Sequence, residues 1–286
     1  MPNAVADVNH REGRVRSADG TELFEQSWAP SEPRAVICLV HGYAEHSGRY
    51  DSTALFLAQA GFAVQALDLR GHGRSAGRRC FVSDFHDYLS DVDAVLQRAA
   101  RSWPDRRTFL MGHSLGGLIS VYFAIENGDG MSGLVLSAPS VRLGSDFSPL
   151  KARIAELLGR ALPSFPTVRF RSESLSRDAS VVQGYRADRM VYQGRTPART
   201  ASEIIRAIRA VQERMHCIEL PLLVMHGSED QVADIEGSRR LHDCVGSEDK
   251  TLGIYDGLYH EIMNEPEKAS VLGDVSAWLS ARTRAE

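Results

Sequence analysis

The 286-residue chain has almost no lysine: only Lys151, Lys250 and Lys268 stand among its 33 basic residues. An arginine bias of this kind would matter if it formed a stripe. The arginines are scattered, and 37 acidic residues outweigh them to give a net charge of −4. No net field therefore steers the chain onto nucleic acid, which is excluded as an expected partner. Cysteine is scarce too. Cys38, Cys80, Cys217 and Cys244 follow no C-x-x-C spacing and are too few for a disulfide framework, so free buried thiols are expected. No apolar run approaches the roughly 20 residues of a membrane-spanning helix, and residues 1–14 contain no hydrophobic signal region. That absence reads as a cytoplasmic protein. There are no internal repeats and no low-complexity linker.

What is present is ordinary globular composition, with 43% hydrophobic and 24% charged residues, which excludes disorder and collagen-like repeats. The length suits one α/β domain carrying an insertion. A hairpin is expected first, with strands at 13–17 and 22–28 around Ala18-Asp19-Gly20, because Asp-Gly supplies the positive φ of a tight turn. Beyond Pro30, short apolar runs at 35–40, 63–67, 108–111, 133–137, 222–225 and 251–255 alternate with helical patterns, as buried parallel strands do. One helix is expected over 52–60, ending at Gly61. Another is expected over 83–100, where Phe85, Tyr88, Leu89, Val92, Val95, Leu96 and Ala99 share one face. The alternation predicts the α/β class, with a sheet covered on both faces.

From 141 to about 214 no strand pattern is visible. An inserted helical cap is expected there, within a core made of 1–140 and 215–286, because long structureless loops are uncommon in compact domains. In this cap Leu150, Ile154, Leu157, Leu158 and Ala161 form an apolar stripe. The stripe has two readings: packing on the main domain, or facing an acyl cleft or a lipid surface.

Chemistry enters at Gly112-His113-Ser114-Leu115-Gly116, set between a strand and a helix-like run. A nucleophile elbow needs this arrangement, since its serine occupies a strained turn and the flanking glycines let strand and helix approach. Serine is a poor nucleophile at neutral pH, so it needs a base, and the base needs a carboxylate to hold its tautomer. With the chain order Ser, acid, His, Asp230 after the run 222–225 is the chosen acid, with Glu229 and Asp234 as neighbours that stay open. His260, after the run 251–255, is the chosen base. Backbone N–H groups of Leu115 and of Tyr43, which follows the first parallel run, are the expected oxyanion donors.

Two other signals are set aside. Gly71-His72-Gly73-Arg74-Ser75-Ala76 fits a dinucleotide fingerprint, yet it follows the second parallel run and no helix begins there, so no cofactor is expected. His41, Glu45 and His46 miss the H-x-x-E-H spacing by one residue, so no metal is expected. His46, His72, His86, His216 and His242 read as surface or hydrogen-bonded structural histidines, and His113 as packing under the elbow.

The runs His41-Gly42-Tyr43-Ala44-Glu45-His46-Ser47-Gly48-Arg49-Tyr50, Asp68-Leu69-Arg70-Gly71-His72-Gly73-Arg74-Ser75, Gly112-His113-Ser114-Leu115-Gly116-Gly117 and His226-Gly227-Ser228-Glu229-Asp230 carry a resemblance. So do Leu175-Ser176-Arg177-Asp178 and Tyr259-His260. In them the chain resembles the serine-hydrolase α/β-hydrolase superfamily and, within it, the monoacylglycerol lipases. The resemblance covers most of the chain, and its Glu-His-Ser-Gly-Arg-Tyr run is the most specific part. It implies an α/β-hydrolase fold, a Ser114, Asp230, His260 triad, and a small lipid ester as substrate. It further implies that Glu45, Arg49 and Tyr185 help recognise a glycerol head group. Tyr43 and Leu115 depart from the small residue and the methionine frequent at those positions, and the Tyr43 ring would narrow the pocket. A lysophospholipase, a short-chain carboxylesterase or a peptidase would share the mechanism, and a non-catalytic binding module is the reading from another class.

Overall fold

The computed structural model describes residues 7–143, 148–169 and 172–283. Strands β1 (Asn9–Arg16), β2 (Glu22–Ala29), β3 (Val36–Val40), β4 (Ala63–Leu67), β5 (Thr108–His113) and β6 (Gly133–Ser137) form the first part of the main sheet. Helices α1 (Asp51–Gln59), α2 (His86–Ser102) and α3 (Leu115–Asn127) connect the parallel strands among them. Between β6 and β9 (Leu222–Gly227) lie α4 (Pro149–Ala161), β7 (Pro166–Arg169), α5 (Ala179–Ala187), β8 (Arg195–Pro197) and α6 (Ala198–Arg214). The chain closes with α7 (Ile235–Cys244), β10 (Lys250–Tyr255) and α8 (Lys268–Ala281).

The eight-stranded sheet runs β1-β2-β4-β3-β5-β6-β9-β10. It is parallel from β4 through β10, while β2 pairs antiparallel with both β1 and β4. The expected N-terminal hairpin and mostly parallel sheet are therefore present, in an α/β-hydrolase fold. Strand alternation decides which layer each side chain joins. Val36, Cys38 and Val40 pack with Val92 of α2 and Leu118 of α3, whereas Ile37 and Leu39 pack with Leu57 of α1 and Leu272 of α8. Both faces are thus covered, as the continuous apolar runs require.

Several expectations need correction. The inserted segment is not all helical, because β7 and β8 pair as a separate two-stranded antiparallel sheet. Strands of four and three residues, with Pro166 and Pro197 inside them, are too short to show alternation in sequence. Helix α2 begins three residues later than its periodicity suggests, since the Asp84 carboxylate accepts the His86 N–H at 3.0 Å and ends the preceding loop there. The α4 stripe does not pack on the main domain: Leu150, Ile154 and Leu157 are 67, 54 and 57% exposed, while α4 buries Ala152 instead. Of the four free cysteines, Cys217 and Cys244 are exposed rather than buried. Among the described residues no helix is long and apolar enough to cross a membrane.

Candidate active site

The site is built where β3, β5, β9 and β10 end. Strand β5 stops at His113 and α3 starts at Leu115, leaving Ser114 at the corner with φ 53° and ψ −114°. A residue bearing a Cβ is strained there by about 1–3 kcal/mol. Neighbouring strands hold it, through Ser114 N–H to Ser137 O at 3.0 Å and Ser140 N–H to Ser114 O at 3.1 Å. The glycines are needed for close approach: a Cβ on Gly112 would lie 2.3 Å from the Gly116 carbonyl oxygen, and one on Gly116 would lie 2.1 Å from the Val40 carbonyl oxygen.

The loop after β9 carries Asp230. Asp230 Oδ1 accepts the N–H groups of Val232 and Ala233 at 2.7 and 3.0 Å. Its Oδ2 meets His260 Nδ1 at 2.7 Å and His226 Nε2 at 3.0 Å. Of the three carboxylates left open by the sequence, this is the one that reaches His260. Glu229 is exposed, and Asp234 caps α7 through the Glu236 N–H and pairs with Arg142. Burial alone would raise the Asp230 pKa, but the charges and hydrogen bonds of His260 and His226 hold it well below the usual carboxylate range. With Nδ1–H donated to a carboxylate, Nε2 of His260 is left as the basic lone pair. His226 escaped the sequence reading of roles, although it stands near the end of β9, four residues before Asp230.

Ser114 and His260 line one small pocket with His113, Gly42 and Tyr43. The Ser114 hydroxyl's hydrogen bond goes to Ser140 Oγ at 3.2 Å rather than to His260. Such contacts commonly tighten only when substrate is bound. His113 lies beside His260, with ring centroids 4.7 Å apart, and its Nδ1 meets Ser137 Oγ at 3.1 Å. Burial, reinforced by the charge of His260, pushes the His113 pKa down to about 4. It therefore faces the site as a neutral ring instead of only packing beneath the elbow.

Neither the Tyr43 nor the Leu115 N–H is taken by another group among the described residues. Leu115 is the first residue of α3, where the helix dipole also favours negative charge. Both border a cavity of about 440 Å³ that continues past Ser114, Ser140, Val168 and Ile204. Tyr43 borders both this cavity and the small pocket; its ring stands edge-on to His72 and its hydroxyl donates to Cys80 O at 3.5 Å.

The small pocket has a volume of about 20 Å³, enough for about one water. Glu45 and Tyr185 line it, as does Glu261, which the sequence reading passed over. Arg49 sits behind them, forked onto Glu261 at 2.6 and 2.8 Å, paired with Glu45 and placed 4.8 Å over the Tyr185 ring. Among the described residues no cluster of His, Cys, Asp and Glu is arranged to hold a metal ion.

The family profile described as serine aminopeptidase, S33, matches residues 31–267. A monoacylglycerol lipase of Mycolicibacterium smegmatis is 40% identical over 261 residues, 91% of this chain and 93% of that one. A monoglyceride lipase of Mus musculus is 38% identical over 273 residues, 94% of this chain and 90% of its own length. Among solved structures, the Paleococcus ferrophilus monoacylglycerol lipase superposes with a TM-score of 0.81 at 27% identity, covering 96% of this chain and 99% of that one.

Proposed function

The chain belongs to the serine aminopeptidase S33 family of α/β-hydrolases, and from that membership we propose that it hydrolyses the ester bond of a monoacylglycerol. The observation that carries the reading is the unequal space on the two sides of Ser114: about 440 Å³ bordered by apolar groups such as Leu115, Val168 and Ile204, against about 20 Å³ bordered by Glu45, His113 and Glu261. An acyl chain fits the first, and the second, though only water-sized, marks the polar side toward which a hydroxylated alcohol would point, since its carboxylates present hydrogen-bond acceptors. The relatives named as monoacylglycerol and monoglyceride lipases support the same substrate.

In this reading Ser114 Oγ attacks the ester carbonyl while His260 Nε2 takes its proton. The Tyr43 and Leu115 N–H groups stabilise the oxyanion, and His260 returns the proton to the departing glycerol oxygen. Water, activated by the same base, then releases the fatty acid. Asp230 keeps the imidazole in the accepting tautomer and offsets its positive charge. Glu45, Arg49 and Tyr185 shape the alcohol side. An aminopeptidase reading would use the two carboxylates to capture a substrate ammonium, but Arg49 already lies between Glu45 and Glu261 and neutralises half of their charge.

The test compares mono-, di- and triacylglycerols carrying one acyl type. The monoacyl ester should be preferred by at least about tenfold, the discrimination that even one misfitted methylene produces in a closed pocket. Equal turnover of triacylglycerol would overturn the reading, because a second chain has no room on the alcohol side.

Residues 141–214 are proposed to act as one inserted cap, and its outer surface supports peripheral contact with lipid. Leu150, Ile154, Leu157, Leu162 and Phe165 are all about half exposed or more. The same segment carries 14 basic against 7 acidic residues in a chain of net charge −4, so an anionic lipid surface is the complementary partner. Leu157→Asp should weaken binding to phosphatidylglycerol vesicles about tenfold in a co-sedimentation assay, since burying a leucine is worth roughly 1.5–3 kcal/mol. Unchanged binding would remove the cap from the contact.

A further inference from the structure

Three charged groups stand beside the reacting centre without a role in the proton transfers. Glu45 and Glu261 are 3 and 5% exposed, and the Arg49 side chain between them is 10% exposed. Glu45 closes the loop that carries Tyr43: its Oε1 accepts the Gly42 N–H at 2.6 Å and the Tyr50 hydroxyl at 2.7 Å. That loop contains Ala44 at φ 67°, a left-handed conformation for a residue with a Cβ. It is therefore held in place rather than relaxed. Glu45 Oε2 accepts from Arg49, and Arg49 grips both oxygens of Glu261, the residue bonded directly to His260. One guanidinium thus joins the loop presenting the Tyr43 N–H to the loop presenting the base. Burial alone would raise the Glu261 pKa, but the adjacent Arg49 charge keeps it below the ordinary range, so the fork is a full ion pair at neutral pH.

We propose that Glu261 is a positioning residue for the ester hydrolysis proposed above: by holding Arg49 against Glu45, it fixes the Tyr43 N–H relative to His260. The inference rests on that reading for its reaction class and not for the identity of the alcohol. An oxyanion donor works only within a few tenths of an ångström of where the charge develops. When Glu261 loses its charge, Arg49 keeps a single carboxylate partner, and the strained Gly42 to Glu45 loop gains freedom. The main chain at Glu261 does not depend on its carboxylate, because its N–H donates to Leu175 O at 2.7 Å and its carbonyl accepts the Asn264 N–H at 2.7 Å.

The experiment measures kcat and KM of Glu261→Gln on a monoacylglycerol and on the p-nitrophenyl ester of the same acid, which has no alcohol hydroxyls. Thermal midpoints are measured alongside. Positioning predicts a similar fall in kcat on both esters, on the order of 10–100-fold as for a small misplacement of catalytic groups, with KM for the aryl ester little changed. Arg49→Lys keeps the charge but cannot fork onto one carboxylate while reaching the other. It should give the same kcat-only loss, and it carries the test if Glu261→Gln does not fold. In the double variant the losses should not multiply, because both substitutions break one link. A loss confined to the monoacylglycerol, or a lowered melting point with unchanged kcat, would overturn the proposal. If the wild-type chain cleaves the aryl ester and no monoacylglycerol, the substrate reading fails while the Glu261 test remains decided by the aryl ester.

Discussion

Ser114→Ala should lower ester hydrolysis by a factor on the order of 10⁵ to 10⁶ while leaving the fold intact. The substitution deletes one oxygen, whose hydrogen bond goes to Ser140 Oγ. A neutral hydrogen bond of that kind contributes about 1 kcal/mol, so the melting point should move by only a few degrees. Alanine also carries a Cβ, so the strain at φ 53° is the same before and after. In the proposed mechanism activity falls because no acyl-enzyme can form, even though the Tyr43 and Leu115 N–H groups and His260 are unchanged. The residual rate reports what those groups achieve with water as the nucleophile. Initial rates with a soluble ester, together with the mass shift after fluorophosphonate treatment, read both consequences. Wild-type turnover, or a label still attached to the alanine variant, would show that another residue is the nucleophile.

Local signals carried much of the architecture. Asp19-Gly20 marks the turn between β1 and β2, the apolar runs locate the parallel strands within a residue or two, and the elbow stands where Gly112 and Gly116 predict. These features were legible because each is set by neighbours in the chain: a positive φ, a continuous buried run, a Cβ clash. The features that stayed hidden are set by distant partners. Nothing near Glu261 indicates Arg49, which lies 212 residues away. His226 reads as the end of a buried strand until its ring is seen against Asp230. The α4 stripe has the spacing of a core-facing helix, and helical periodicity cannot say whether the apolar face meets the protein or something outside it. Its place after β9 selects Asp230 with Glu229 and Asp234 left open, and only the loop geometry shows which of the three carboxylates meets His260: one turns inward while its neighbours serve solvent and a helix cap.

That geometry also makes the outcome at Asp230 specific. Asp230→Asn should lower kcat by about 10⁴ at neutral pH through a wrong tautomer rather than through lost structure. The Val232 and Ala233 N–H groups both donate to Oδ1, so the asparagine carbonyl must occupy that position and its NH₂ must take the place of Oδ2. There it donates toward His260 Nδ1 and His226 Nε2, which in the native protein supply the protons. His260 then answers by placing its proton on Nε2, the atom that must be free to accept from Ser114. A second, smaller loss comes from removing the negative charge that offsets the imidazolium as it forms. Asp230→Glu keeps the charge, but the longer side chain cannot hold both Oδ1 contacts and the imidazole, so it should recover only part of the rate. Steady-state kinetics of both variants, with NMR of the His260 ring protons to identify the tautomer, check the argument. A native Nδ1–H in an inactive asparagine variant would refute it, and so would native turnover with the tautomer reversed.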